Sequence, residues 1–248
     1  MRYREIDRAH SERSSGSPGA AVFAEMVFCS FPTKGAGTHP MHIAILTFEG
    51  FNELDSLIAF GVLNRVKRPD WRVSIACPTT RVRSMNGLAI ESQATLREAL
   101  AADAIIVGSG ILTRDIVQDR SLMAEMRFDP SRQLLGAQCS GTLVLAKLGV
   151  LNDVPACTDL ITKPWVEETG VKVLNQPFFA RDNVATAGGC LASQYLAAWV
   201  IARLEGIEAA ESALHYVAPV GEKEEFVSRA MRNNSPYLPK KVSRTQMA

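Results

Sequence analysis

A thiol stands at the sharpest break in the pattern of this chain, in Leu134-Leu135-Gly136-Ala137-Gln138-Cys139-Ser140-Gly141-Thr142-Leu143. An apolar run ends at Ala137-Gln138-Cys139-Ser140-Gly141 and helical spacing begins at once. The pattern reads as strand, abrupt turn, helix. Small residues at Ala137 and Gly141 let the chain reverse tightly, as in a nucleophile elbow. Such a turn holds the sulfur above a sheet and aims helix N–H groups at it, which favours the thiolate, the reactive form of cysteine. Cys139 is therefore the candidate nucleophile. Cys77 and Cys157 fall in strand patterns and Cys190 opens an apolar helix, so these three read as core cysteines.

A thiolate nucleophile works with a base, an acid or a cationic partner. The four histidines are His10, His39, His42 and His215. The first two lie in a loop-like stretch, and His42 opens the first strand, at the wrong end for a site at strand C-termini. His215 sits on a late helix and reads as structural. No Cys–His dyad is supported, and no His/Cys/Asp cluster has metal-ligand spacing, so neither a metal nor another cofactor is expected. A carboxylate is the next candidate. Asp55 lies in a helix start, between Leu54 and Leu57, where it is either exposed or placed for a purpose. Beside a thiolate its pKa would rise, and it could hold a proton for the sulfur. The third element is Ile105-Ile106-Val107-Gly108-Ser109-Gly110, a strand ending in a small turn. Glycine lets a backbone N–H approach a ligand closely, and this turn with the Ser140 N–H could form an oxyanion hole.

These residues need a scaffold, and the chain alternates in a way that supplies one. Strands are expected at His42–Phe48, Trp71–Cys77, Ala102–Val107, Gln133–Gln138 and Val154–Cys157, with short ones at Val171–Asn175, Phe178–Arg181 and Val184–Thr186. Helices are expected at Glu53–Val66, Ala94–Ala101, Arg114–Arg127, Ser140–Leu148, Cys190–Leu204 and Glu208–Val217, and Asn86-Gly87 marks a hairpin within Val82–Glu91. Alternating buried strands and helices argue for an α/β fold with a parallel sheet covered on both faces. Trp165 and Trp199 read as packing residues. Residues 1–40 differ from the rest, with loop-like Ser14–Gly19 and Pro32–Gly37, and are expected to be a disordered extension or a mis-assigned start ahead of Met41. The domain is assigned to 41–234, and an irregular tail to 235–248.

Composition narrows the classes. The 248 residues are 47% apolar and 21% charged with a net charge of +1, which leaves no nucleic-acid footprint and no membrane-surface patch. No apolar run reaches the ~18 residues of a membrane span. Five irregularly spaced cysteines without a CxxC point to a reduced, cytoplasmic compartment.

The three chemical pieces, in this order, resemble the ThiJ/PfpI superfamily, relatives of the class I glutamine amidotransferases, over about residues 42–232. The elbow matches the family's A-x-C-x-G. Gly50 through Asp55 matches its first-strand loop, where an acidic residue faces the cysteine, and Gly108-Ser109-Gly110 falls where Pro-Gly-Gly is usual. The resemblance implies a flavodoxin-like three-layer sandwich with a mostly parallel central sheet, a homodimer, and Cys139 and Asp55 as catalytic residues, with Gly110, Ser109 and Ser140 around the substrate. Three departures narrow the chemistry. Protease-like members place His after the nucleophile, where this chain has Ser140. Glutamine amidotransferases use a late His-x-Glu, where it has His215-Tyr216-Val217. Many members carry Thr-Thr-His where it has Cys157-Thr158-Asp159, which makes Thr158 and Asp159 candidate pocket residues.

Cysteine and aspartate without histidine suit amide hydrolysis poorly, since an amine leaving group must be protonated. They suit addition to an electrophilic carbon, as in the isonitrile hydratase branch, which converts an isonitrile and water to an N-substituted formamide. The resemblance thus implies a hydratase or lyase rather than a peptidase or amidotransferase. Its rivals are glyoxalase- or deglycase-like action on 2-oxoaldehydes, and a non-enzymatic redox sensor or ligand-binding module. Related domains occur in AraC-type regulators beside a DNA-binding segment, for which the expected domain boundaries leave no length.

Overall fold

The computed structural model describes residues 40–239, so all but the last residue of the 1–40 stretch, and residues 240–248, lie outside the described part. The chain begins with strand β1 (Met41–Leu46), whose last four residues are fully enclosed. Helix α1 (Glu53–Leu63) follows, then β2 (Trp71–Cys77), a hairpin of β3 (Arg81–Arg83) and β4 (Ala89–Glu91), and the two-residue β5 (Ala94–Thr95). Next come α2 (Leu96–Leu100), β6 (Ala104–Val107), α3 (Thr113–Ile116), α4 (Arg120–Glu125), β7 (Leu134–Gln138), α5 (Gly141–Lys147) and α6 (Lys163–Glu167). The last part holds β8 (Phe178–Arg181), β9 (Val184–Ala187), a 3-10 turn at Cys190–Ala192, α7 (Ser193–Glu205), α8 (Ile207–Val217) and α9 (Lys223–Asn234).

Seven strands form one sheet in the order β5-β2-β1-β6-β7-β9-β8, parallel throughout except for the antiparallel edge pair β8–β9. Parallel strands are covered on both faces, and the period-2 alternation of side chains decides what covers them. Ile43, Ile45, Ala104 and Ile106 point into the core formed with α1, α7, α8 and α9. Their neighbours Ala44, Leu46, Ile105 and Val107 point into the opposite core, formed with α2 and α5. Trp199 of α7 is fully enclosed in the first core. The result is the flavodoxin-like three-layer sandwich. Strand order reverses between β1 and β6, and the crevice beyond the carboxyl ends of such strands is where this architecture places its ligands.

Several expected elements differ. Val154–Cys157 and Val171–Asn175 do not form strands and meet only in a single bridge, Ala156 with Val173. Pro155 lacks the N–H a ladder needs, so burial there is achieved without a ladder. The expected helix Arg114–Arg127 is two short helices, because Asp119 accepts hydrogen bonds from Ser121 N and Leu122 N and starts a new cap. Two helices escaped the sequence reading. In α6, Pro164 in the first turn reads as a loop residue but is tolerated where no N–H is required. In α9, charge dominates the composition, and only Ala230, Met231 and Asn234 are buried. Beyond it, Ser235–Tyr237 makes one 3-10 turn rather than irregular chain, and the Tyr237 ring meets Phe178 and Phe179 edge-on at centroid distances of 5.7 and 5.2 Å.

Candidate active site

Four strand ends supply the site: Asp55 follows β1, Ser109 and Gly110 follow β6, Cys139 follows β7, and Cys190 follows β9. Cys139 has φ of +44°, a left-handed conformation that costs a non-glycine residue about 1–3 kcal/mol and persists only where the surroundings enforce it. Here Cys139 N donates to Ala187 O at 2.8 Å and Thr158 Oγ1 donates to Cys139 O at 2.7 Å. The reversal also needs a residue without Cβ at Gly141, where an added Cβ would lie 2.4 Å from Val107 O and 2.7 Å from Gly108 O. The strand–elbow–helix reading of the sequence corresponds to these contacts.

Asp55 sits in the first turn of α1 on the enclosed face and is 1% exposed; Cys139 is 4% exposed. The Ser109 hydroxyl donates to Asp55 Oδ2, while Oδ1 is buried and receives no N–H or O–H donor. Instead the carboxylate faces two thiols: Asp55, Cys139 and Cys190 bring a carboxylate oxygen and both Sγ atoms within 4.8 Å of one another. Burial pushes the Asp55 carboxyl above its usual range, partly offset by the Ser109 hydroxyl and the two thiols. Burial also pushes the Cys139 thiol up, and the Asp55 carboxylate, then Cys190 and Asp159, push the same way; the Gly189 N–H opposes them. The sequence reading favours a thiolate at the elbow; burial and the neighbouring carboxylate act against that form, and the Gly189 N–H acts for it.

The remaining candidates take distinct places. Ser109 is the partner of Asp55. Ser140 Oγ accepts from Gly110 N at 3.1 Å and lies 2.8 Å from Thr113 Oγ1, so the Gly110 N–H is engaged within the protein rather than offered to an oxyanion. Thr158 holds the elbow carbonyl. Asp159 Oδ1 accepts from Ile161 N and Thr162 N at 2.9 Å, and the residue lines the cavity over the sulfur. That cavity encloses about 390 Å³ and is walled by Ser109, Gly110, Ser140, Met85, Trp165 and Cys190 among others.

Three of its contributors were not read as functional. Cys190, taken as a core cysteine, is half-buried at the cavity, and Asn52 Nδ2 donates to its sulfur at 3.2 Å while Asn52 Oδ1 caps α1 at Leu54 N. Trp165 forms cavity wall, with the Arg114 guanidinium 4.6 Å over its ring. The hairpin is tied to the same region, since Gly50 N donates to Arg83 O, Met85 N donates to Phe51 O, and Asn86 Nδ2 donates to Glu53 Oε1. The two described histidines stand elsewhere: His42 contacts Ser74 Oγ at 2.7 Å at the start of β1, and His215 is exposed beside Glu224. By distance, Asp55, Cys139 and Cys190 could supply three ligands to a metal ion, a set no sequence spacing revealed; structural zinc sites take four.

The family model described as the DJ-1/PfpI family matches residues 41–203. No curated protein matches the chain. Among solved structures, a ThiJ/PfpI family protein from Pseudomonas syringae is 18% identical with a TM-score of 0.62, over 84% of this chain and 96% of that one. An oxidised DJ-1 from Toxoplasma gondii is 16% identical with a TM-score of 0.62, over 71% and 97%. An AraC family transcriptional regulator from Pseudomonas putida is 18% identical with a TM-score of 0.59, over 72% and 100%. These likenesses extend to the fold.

Proposed function

Since this chain belongs to the DJ-1/PfpI family, and the Cys139 sulfur at its cavity lies within 4.8 Å of a carboxylate oxygen of the buried Asp55, we propose that it is a cysteine-dependent hydratase acting on a small electrophile, with isonitriles as the substrate class. The observation that carries the reading is the buried Cys139–Asp55 pair, with neither described histidine at the cavity. The Asp55 carboxylate, made more basic by burial, takes the proton of the Cys139 thiol as the sulfur attacks the terminal isonitrile carbon. It then delivers that proton to the same carbon, which gives a thioimidate. Water adds to this carbon as Asp55 takes one of its protons and passes it to the nitrogen; the adduct then collapses, its hydroxyl proton returns through Asp55 to the sulfur as the C–S bond breaks, and the N-substituted formamide leaves. Net addition of water leaves no amine to protonate, so no histidine is required. A cavity of about 390 Å³ suits a small substrate.

Incubation with cyclohexyl isocyanide should yield N-cyclohexylformamide, and Cys139→Ala should abolish it. An absence of formamide would overturn the substrate assignment, and consumption of methylglyoxal instead would favour the glyoxalase-like reading. The irregularly spaced cysteines support a cytoplasmic setting, and exposed Leu54, Leu57 and Leu191 support a homodimer.

A further inference from the structure

We infer that Cys139 and Cys190 are a reactive thiol and its resolving partner, closing an intramolecular disulfide when the protein meets a hydroperoxide. The two sulfurs lie within 4.8 Å of each other although 51 positions separate the residues (190 − 139). Their closeness follows from the sheet. Strands β7 and β9 run parallel with Gln138 opposite Ala187, so the turns that leave them emerge side by side. A disulfide needs the sulfurs at about 2.05 Å. The approach falls to Cys190, in a three-residue 3-10 turn, rather than to the elbow, which hydrogen bonds hold. Both cysteines line one cavity, so a small peroxide that reaches one sulfur has reached the other.

The described cysteines are not equivalent in this respect. Cys157 is wholly enclosed, and Cys77 is buried with its sulfur 3.2 Å from Thr47 Oγ1. Neither lines the Cys139 cavity. Reactivity of a thiol follows its access and its proton acceptor, and the 139/190 pair has the cavity and Asp55.

The chemistry balances with the hydroperoxide as the sole oxidant. As the Cys139 thiol gives its proton to the Asp55 carboxylate, its sulfur attacks the distal peroxide oxygen. The O–O bond breaks, an S–O bond forms, and the alcohol or water leaves with a proton. Cys139 is now a sulfenic acid, oxidised by two electrons, and the peroxide is reduced by two. The Cys190 sulfur then attacks the Cys139 sulfur. The S–S bond forms, the S–O bond breaks, and hydroxide takes the Cys190 proton and leaves as water. Without a nearby thiol, further peroxide would carry the sulfenic acid on to sulfinic acid, which thiols do not reverse. Cys190 diverts that path into a bond that a dithiol can reduce.

The inference needs only a nucleophilic Cys139 and does not depend on the isonitrile reading, because its readout is the mass of the protein. The full chain is treated with one equivalent of hydrogen peroxide, free thiols are blocked, and the peptides are mapped. The expected result is loss of two hydrogens, one linked peptide pair joining Cys139 to Cys190, and full reversal by dithiothreitol. In Cys190→Ser, given at least two equivalents of peroxide because each oxygen added consumes one, Cys139 should gain two oxygens that dithiothreitol does not remove. In Cys139→Ser, Cys190 should remain alkylatable. Sulfinic acid at Cys139 of the unaltered protein as the main product would overturn the inference. So would a linkage through Cys29, Cys77, Cys157 or a second chain, or no oxidation at all. Because the linked pair is sought in the unaltered protein, poor folding of a variant does not remove the test.

Discussion

Placing a carboxyl against a thiol in an enclosed space changes what each does near neutral pH. Asp55 is raised by burial and Cys139 by burial and then by the Asp55 charge, so each group makes the other's ionised form harder to reach. Asp55→Asn removes the second influence on the sulfur. The rate of Cys139 alkylation should then rise at lower pH than in the unaltered protein, while formamide production falls by about 10²–10⁴-fold through loss of the proton carrier. Iodoacetamide labelling across a pH series checks the first, and product chromatography the second. An unshifted labelling profile would mean that the carboxylate does not govern the thiol. Cys139 stands out in the sequence because its strand-to-helix junction is a local pattern, whereas the local pattern leaves Asp55 open between exposed and enclosed, and only the family resemblance sets it against the cysteine. The tie between Asn52 and Cys190 is not legible there, since it joins residues 138 positions apart and no local pattern carries it.

The elbow is where element and residue constrain each other. A methyl group at position 141 would collide with the carbonyl oxygens of Val107 and Gly108, which belong to the end of β6 and cannot swing aside like a side chain. Gly141→Ala should therefore lower stability by about 1–3 kcal/mol or more, the cost of overpacking. Gly61→Ala is the matched control, for Gly61 lies within α1 and an added Cβ there meets nothing within 4 Å. That substitution should be neutral or stabilising by about 0.5–1 kcal/mol, as removing a helical glycine does. Denaturant unfolding of both variants checks the contrast. The same scale shows why some elements were legible and others not. The strands of the parallel sheet announce themselves as continuous apolar runs, and the glycine pattern of the elbow is equally plain. Helix α9 buries only three residues, so its periodicity is faint, and the bridge at Ala156 satisfies burial without a ladder.

At the scale of the molecule, the strand order places β1 and β6 on either side of the reversal, and Asp55, Cys139 and Cys190 arrive from the ends of β1, β7 and β9 beside it. Leu54 and Leu57, at 52% and 37% exposed, and Leu191, at 67%, form apolar surface on α1 and on the turn that carries Cys190. Light scattering should give twice the chain mass, and Leu54→Lys with Leu191→Lys should shift the protein to single chains; a single-chain mass for the unaltered protein would remove the dimer. Among the described residues no helix is long and apolar enough to cross a membrane. The β3–β4 hairpin lends Met85 to the cavity while its backbone is stitched to Gly50 and Phe51. Its tip at Asn86-Gly87 is exposed, and an added Cβ at Gly87 meets nothing within 4 Å. Lengthening that tip would move Met85 at the cavity wall and also strain the Asn86 Nδ2–Glu53 Oε1 bond at the start of the helix that carries Asp55. The wall of the cavity and the helix start beneath it are thus one mechanical unit, and neither can drift in sequence without the other adjusting.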